Sequence, residues 1–264
     1  MNFFLLPRGF GPRIVYLAEN NMKRINMWSG PRNISTAMMY AFAQRPDTHV
    51  VDEPFYAHYL DQSGIEHPVR EKVLARHSTD AADVLDQLLS VNSDKKMLFI
   101  KNMAHHMIAM DPELAVLVEK CEPVFLIRNP REMLPSLDRK LSRPTLRDTA
   151  YKQLYELFEM RRQSGQKCCV IDSQELLKAP RKVLSTLCSC LDISFDEQML
   201  HWEKGGREED GIWADYWYGS VHNSTGFMPY QPPSNSFPEH LNPLLTQCKP
   251  YYNKMFVHAI KANS

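Results

Sequence analysis

Two stretches of this sequence carry residue types that bind and move an anionic group. The first, Trp28-Ser29-Gly30-Pro31-Arg32-Asn33-Ile34-Ser35-Thr36, joins a short apolar run to an amphipathic one. Gly30 and Pro31 mark a bend, Arg32 puts a cation in it, and Ser35 and Thr36 supply hydroxyls where a helix begins. Backbone N–H groups at a helix N-terminus point outward with partial positive charge, which suits a phosphate or sulfate. Arg32 adds a planar charged fork. The same two hydroxyls also suit simple helix capping.

The second stretch, Phe125-Leu126-Ile127-Arg128-Asn129-Pro130, closes an apolar run with Arg128 and carries Ser136 eight residues further on. Taken alone, Arg-Asn-Pro is also an ordinary way to start a helix. Two further groups can handle protons. Glu53, in Asp52-Glu53-Pro54, is a candidate general base, or else the ion-pair partner of a nearby arginine. Lys101 and the pair His105-His106 follow another apolar run, as a candidate cation and a second candidate base, or as packed histidines.

Positioning these groups requires a scaffold that brings several strand ends together. Short apolar runs at 24–29, 49–52, 97–101, 123–128 and 167–172 read as strands. Helical patterns fall at 33–44, 67–92, from 130, at 144–165 and at 179–191, with a terminal helix over 240–260. Alternation of this kind predicts an α/β fold, a three-layer αβα sandwich around a mostly parallel sheet. In such folds ligands sit at the carboxyl ends of the strands, where each candidate group lies. Residues 1–23 read as an extension and 24–264 as one domain. Residues 202–238, rich in Gly, Trp, Tyr, Asn, Ser and Pro, read as a largely irregular, lid-like loop. Within it Lys204 and Arg207 read as solvated charges, while Trp213, Trp217 and Tyr218 either wall a pocket or anchor the loop.

Composition narrows the function classes. The 264 residues are 44% hydrophobic and 23% charged, as in an ordinary globular protein. Lys+Arg 31 balances Asp+Glu 31, so no global basic field exists to hold nucleic acid or an anionic membrane. No apolar run is long enough to span a bilayer. The six cysteines form no Cys-x-x-Cys pair and no metal-ligand cluster, and reduced thiols in a cytoplasmic protein are the expectation. Two arginines in residues 1–20 are a faint presequence signal. A Walker-type loop, Gly-x-x-x-x-Gly-Lys-Ser/Thr, does not occur.

Taken together, the two anion motifs resemble the sulfotransferase family that uses 3′-phosphoadenosine 5′-phosphosulfate. The resemblance implies that Pro31, Arg32, Asn33, Ile34, Ser35 and Thr36 form the 5′-phosphosulfate loop, and that Arg128 and Ser136 bind the 3′-phosphate. Glu53 stands where the tyrosylprotein branch carries its catalytic glutamate. His105 and His106 match only loosely the Lys-x-His of the cytosolic branch, which would give Lys101 a place near the sulfate. Two positions depart from the pattern. Ile34 replaces a frequent glycine, and no tryptophan follows Thr36 as in the aryl and steroid branch. The expected function is metal-free sulfuryl transfer to a small-molecule acceptor, with Arg32 offsetting charge on the leaving oxygen. The alternatives are a kinase with a degenerate phosphate loop and a non-catalytic nucleotide-binding relative. The oligomeric state is open.

Overall fold

The computed structural model describes residues 22–91, 93–108 and 111–263, so the expected N-terminal extension lies almost wholly outside the described residues. Six strands form a single sheet in the order β2-β3-β1-β4-β5-β6. They are β1 (Lys23–Ser29), β2 (Thr48–Asp52), β3 (Met97–Met103), β4 (Glu122–Ile127), β5 (Cys169–Asp172) and β6 (Ala259–Ile260). All neighbouring pairs run parallel, as crossover helices on both faces require. Because they are parallel, their carboxyl ends share one edge of the sheet.

Both faces of the sheet are buried, which explains why the strands read as apolar runs without polar alternation. On one side Ile25, Met27, Phe99, Val124 and Ile171 pack against the helices Ser35–Ala43 and Pro180–Cys190. Phe42 stacks on Phe99 with ring centroids 4.0 Å apart. On the other side Trp28, Leu98, Ile100, Phe125 and Val170 meet the helices Tyr151–Gln163 and Asn242–Phe256. Fully burying one such aliphatic or aromatic side chain contributes roughly 1.5–3 kcal/mol.

The helices depart from the sequence expectations in particular places. The predicted 67–92 helix is two, Arg70–Arg76 and Ala81–Leu89, interrupted by extended backbone at His77 and by the Asp80 cap, whose carboxylate accepts from Ala82 and Asp83 N–H. A helix over Tyr56–Ser63 precedes them. The predicted 144–165 helix breaks at Ala150, where φ is +62°. The terminal helix ends at Phe256, and two residues of sheet follow it at the β5 edge. The 202–238 segment is mostly irregular, as expected, but contains single turns at Ala214–Trp217 and Gly219–His222.

One cysteine expectation is overturned. Cys169 on β5 and Cys190 at the end of the second helix after it are joined as a disulfide, with Cα atoms 6.3 Å apart. A short helix, Ser173–Lys178, leaves the strand, and the next, Pro180–Cys190, brings its C-terminus back to it, which puts the two thiols together. Cys121, Cys168, Cys188 and Cys248 are free. No helix among the described residues is long and apolar enough to cross a membrane.

Candidate active site

The bend after β1 is tightly built. Gly30 is required by space rather than by φ, since a Cβ there would stand 2.8 Å from the Thr149 carbonyl oxygen. Arg32 and Ile34 both adopt left-handed backbone, with φ of +60° and +62°. Ile34 thus takes a conformation that a glycine would occupy without steric cost. Asn33 faces inward as a fastener. Its Nδ2 donates to Leu126 O at 3.1 Å, and its carbonyl accepts from Ser173 Oγ at 2.8 Å. The helix Ser35–Ala43 begins with no side-chain cap bond, which leaves its first N–H groups available to a ligand. Pro31, Arg32, Ile34, Ser35 and Thr36 line a cleft of about 350 Å³.

Arg32 is the hub of this turn. Its Nε donates to Ser136 Oγ at 2.9 Å and its carbonyl accepts from Arg128 Nη1 at 2.9 Å. The expected pair, Arg128 and Ser136, is therefore brought to one place through Arg32. No carboxylate pairs with Arg32 among the described residues. Burial first, then the nearby Arg128 and Arg139 guanidiniums, lowers its affinity for its proton. Arg128 has a loose contact to Glu132, 3.7 Å from Nε, and lines the same cleft. Two guanidiniums with little counter-charge make a site that needs an anion.

A second cluster sits where β2 and β3 end. Sheet register pairs Asp52 with Lys101, and Glu53 N–H donates to Lys101 O at 2.9 Å. Consecutive strand residues normally point to opposite faces. Glu53 escapes that alternation because its φ is +42°, so both carboxylates converge on one ammonium. Lys101 Nζ lies 2.7 Å from Asp52 Oδ1 and 2.7 Å from Glu53 Oε1. Tyr218 completes the cluster from the late loop, with its hydroxyl 2.5 Å from Lys101 Nζ and 2.7 Å from Asp52 Oδ2. Trp213 Nε1 donates to the same hydroxyl at 2.9 Å.

The electrostatics of this cluster follow from one buried cation shared by two buried acids. Burial raises the Glu53 pKa above 4.5, Lys101 opposes that shift, and Asp52 adds to it. For Lys101, burial favours the neutral form, but Asp52 and Glu53 outweigh it and hold the ammonium charged. All three Lys101 donors are engaged, and the side chain is fully buried, facing the carboxylates rather than the cleft. Glu53 lines the cleft, and among the described residues only its Oε1 is held by hydrogen bonds. Its other oxygen is therefore available to a ligand.

His105 and His106 line the same cleft, in a 3-10 turn after β3. Neither ring makes a hydrogen bond among the described residues, and both are packed against Tyr59. Burial lowers the His105 pKa to about 3 and that of His106 well below 6.5. Lys204 is exposed, and Arg207 pairs with Glu209 at 3.2 Å, so both lie outside the cleft. Asp52, Trp213 and Tyr218 were not singled out as members of the proton-handling site. Asp52 was legible as a second acid at a strand end, whereas Tyr218 lies 165 residues from Glu53, in an irregular segment. A further knot, Asp210 Oδ2 with Tyr40 OH (2.6 Å) and His222 Nε2 (3.0 Å), holds that segment to the helix Ser35–Ala43. No grouping of three or more His, Cys, Asp or Glu among the described residues could hold a metal ion.

A family model described as a sulfotransferase domain matches residues 22–259. Two proteins of Arabidopsis thaliana, named branched-chain-amino-acid aminotransferase-like proteins 2 and 1, are 35% and 36% identical over 90% and 91% of this chain. The chain spans about two fifths of their length, 42% and 43%. The crystal structure of a sulfotransferase from Alicyclobacillus acidocaldarius superposes with a TM-score of 0.54 at 11% identity, covering 91% of this chain and 98% of that one. That likeness is one of fold.

Proposed function

Because the chain belongs to the sulfotransferase family, we propose that it transfers a sulfuryl group from 3′-phosphoadenosine 5′-phosphosulfate to a small-molecule acceptor. The observation that carries this reading is that Arg32, a guanidinium with no acid partner among the described residues, and Glu53, with one carboxylate oxygen unengaged, border one cleft.

The residues present fit such a donor. The turn at 31–36 offers uncapped helix N–H groups, two hydroxyls and the Arg32 fork, and Arg128 adds a second cation. The donor supplies an activated sulfuryl group whose departure leaves negative charge on the nucleotide. Arg32 stabilises that charge and, as an arginine, stays protonated throughout. Arg128 anchors the nucleotide, which fixes the direction of transfer. Glu53 removes the acceptor's proton. It is a stronger base than an exposed carboxylate, because burial and Asp52 raise its proton affinity. His105, lowered to about 3, is much the weaker base. Lys101, Asp52 and Tyr218 hold Glu53 Oε1 in place and leave the other oxygen to work. A kinase reading would need a loop lysine in the turn, and residues 30–36 contain none.

The test uses donor labelled in its sulfuryl group with a panel of small hydroxyl and amino compounds. Acceptor-dependent labelled product is expected, and Glu53→Gln is expected to lower its rate by about 10²–10⁴-fold, the usual contribution of a general base. Nucleotide binding without product from any acceptor would favour the non-catalytic reading.

A further inference from the structure

Among the residues that line the cleft are six rings, Tyr56, Tyr59, His67, His105, His106 and Trp217, beside aliphatic side chains such as Met103 and Leu141. The rings are ordered against one another. His106 stacks on Tyr56 at 4.9 Å and 11° between planes, and on Tyr59 at 4.6 Å and 21°. His105 stands edge-on to Tyr59 at 5.2 Å and to His106 at 4.5 Å. His106 is packed flat against both tyrosines, and a hydrogen bond to its ring nitrogens must lie in the ring plane.

Those edges lack partners. Among the described residues His105 Nδ1, His106 Nδ1 and His67 Nε2 are buried without any hydrogen bond, in rings that line the cleft. His105 is 7% and His106 2% exposed. By contrast, His67 Nδ1 is engaged by Tyr56 OH at 2.8 Å. Buried polar atoms are almost always satisfied, so three orphans in one patch set these rings apart from ordinary packing, and the Nε2 edges of His105 and His106, which are not sealed, are the ones a ligand in the cleft can reach. Burial keeps both rings of the pair uncharged. An uncharged imidazole offers one donor and one acceptor, which matches a neutral polar group and leaves a buried carboxylate poorly compensated. Asp52 and Glu53, with only Lys101 between them, add negative charge against an anionic acceptor.

We propose that His105 and His106 are specificity-determining residues that read, edge-on, a second and uncharged hydrogen-bonding group on a small planar acceptor whose hydroxyl faces Glu53. This rests on the reading of the cleft as the acceptor site beside Glu53. The pair thus selects neutral bifunctional compounds over both simple phenols and acids.

The experiment is isothermal titration of four probes: phenol, 4-hydroxybenzamide, 4-hydroxybenzoate and 4-hydroxybenzylamine. Each is measured with the protein alone and with saturating adenosine 3′,5′-bisphosphate. 4-Hydroxybenzamide is expected to bind at least ten times more tightly than the other three. His106→Phe, which keeps the stacked ring and deletes its nitrogens, is expected to bring the amide down to the affinity of phenol. Bisphosphate affinity serves as the folding control for the variant. Should His106→Phe fail to fold, imidazole ¹⁵N spectra of the unaltered protein replace it, and the amide is expected to move the His105 and His106 resonances while phenol does not. Equal binding of phenol and amide, tighter binding of the acid or the amine, no binding of any probe, or an amide preference that survives His106→Phe would each overturn the proposal. Failure of the bisphosphate to bind counts instead against the donor reading, and the nucleotide-free titrations still decide the role of the histidines.

Discussion

Tyr218 places its hydroxyl 2.5 Å from Lys101 Nζ, although 117 residues separate the two in the chain. The contact joins the late irregular segment to the mouths of β2 and β3. The cluster around Lys101 is therefore complete only with that segment docked. Trp213, buried beside it, donates to the same hydroxyl and fixes its direction. Removing that hydroxyl as Tyr218→Phe strands a lysine donor and the Trp213 indole N–H, while Asp52 Oδ2 keeps the Gly211 N–H at 3.0 Å. Leaving a buried polar group unpaired costs about 1–3 kcal/mol. Thermal melts are expected to show a loss of that order, with turnover falling and nucleotide affinity kept. An unchanged melt and unchanged turnover would remove Tyr218 from the cluster.

Arg32 is held by geometry as well as charge, since its Nε donates to Ser136 while the fork remains at the cleft. Lysine keeps the charge and loses the second, directed donor. Arg32→Lys is expected to lower kcat by about 10²–10³-fold, the usual loss on deleting one donor to developing charge. Ser136→Ala is expected to cost less. The check is steady-state kinetics on both variants, and equal rates for Arg32→Lys and the parent would contradict the role.

The pH dependence of activity follows from the direction of the Glu53 shift. The base works ionised, and burial and then Asp52 raise its pKa, with Lys101 opposing, so the acidic limb of the rate profile is expected above 4.5. Asp52→Asn removes the repulsion between the acids and is expected to move the limb to lower pH. A limb at or below 4.5 in the parent would mean that Glu53 is not the titrating base.

Stability is expected to respond to pH through the histidines of the same cleft. His67, His105 and His106 have pKa values lowered by burial, so they stay uncharged in the folded protein while the unfolded chain takes up protons below about 6.5. Their contribution is fully present above that value and is lost as pH falls towards about 3, the folded value for His105. Melting temperature is expected to drop on acidification through this window, and His106→Phe is expected to drop less. An equal drop in variant and parent would show that His106 takes up no proton on unfolding.

Much of this arrangement was legible before any coordinates. The turn at 31–36 and the Arg128–Ser136 pair announced themselves because each closes an apolar run with a charge and hydroxyls at helical spacing. Glu53 was readable as an acid at a strand end. Its meeting with Lys101 was not, because it depends on the register of β2 against β3 and on a positive φ that no local pattern announces. Tyr218 and Trp213 were visible only as aromatics in a segment without periodicity. His105 and His106 read equally as base or packing, and burial decides how weakly basic they are. The break at Ala150 and the two-residue strand Ala259–Ile260 were hidden for a related reason, since tertiary contacts override a continuous helical pattern.

The most direct measurement is a thermal shift with adenosine 3′,5′-bisphosphate, set beside ATP with Mg²⁺, on the parent and on Arg128→Ala. At 100 times its dissociation constant a ligand stabilises the fold by about 2.7 kcal/mol, a readable rise in melting temperature. The account predicts stabilisation by the bisphosphate and its loss in Arg128→Ala. Stabilisation by ATP with Mg²⁺ alone would contradict it.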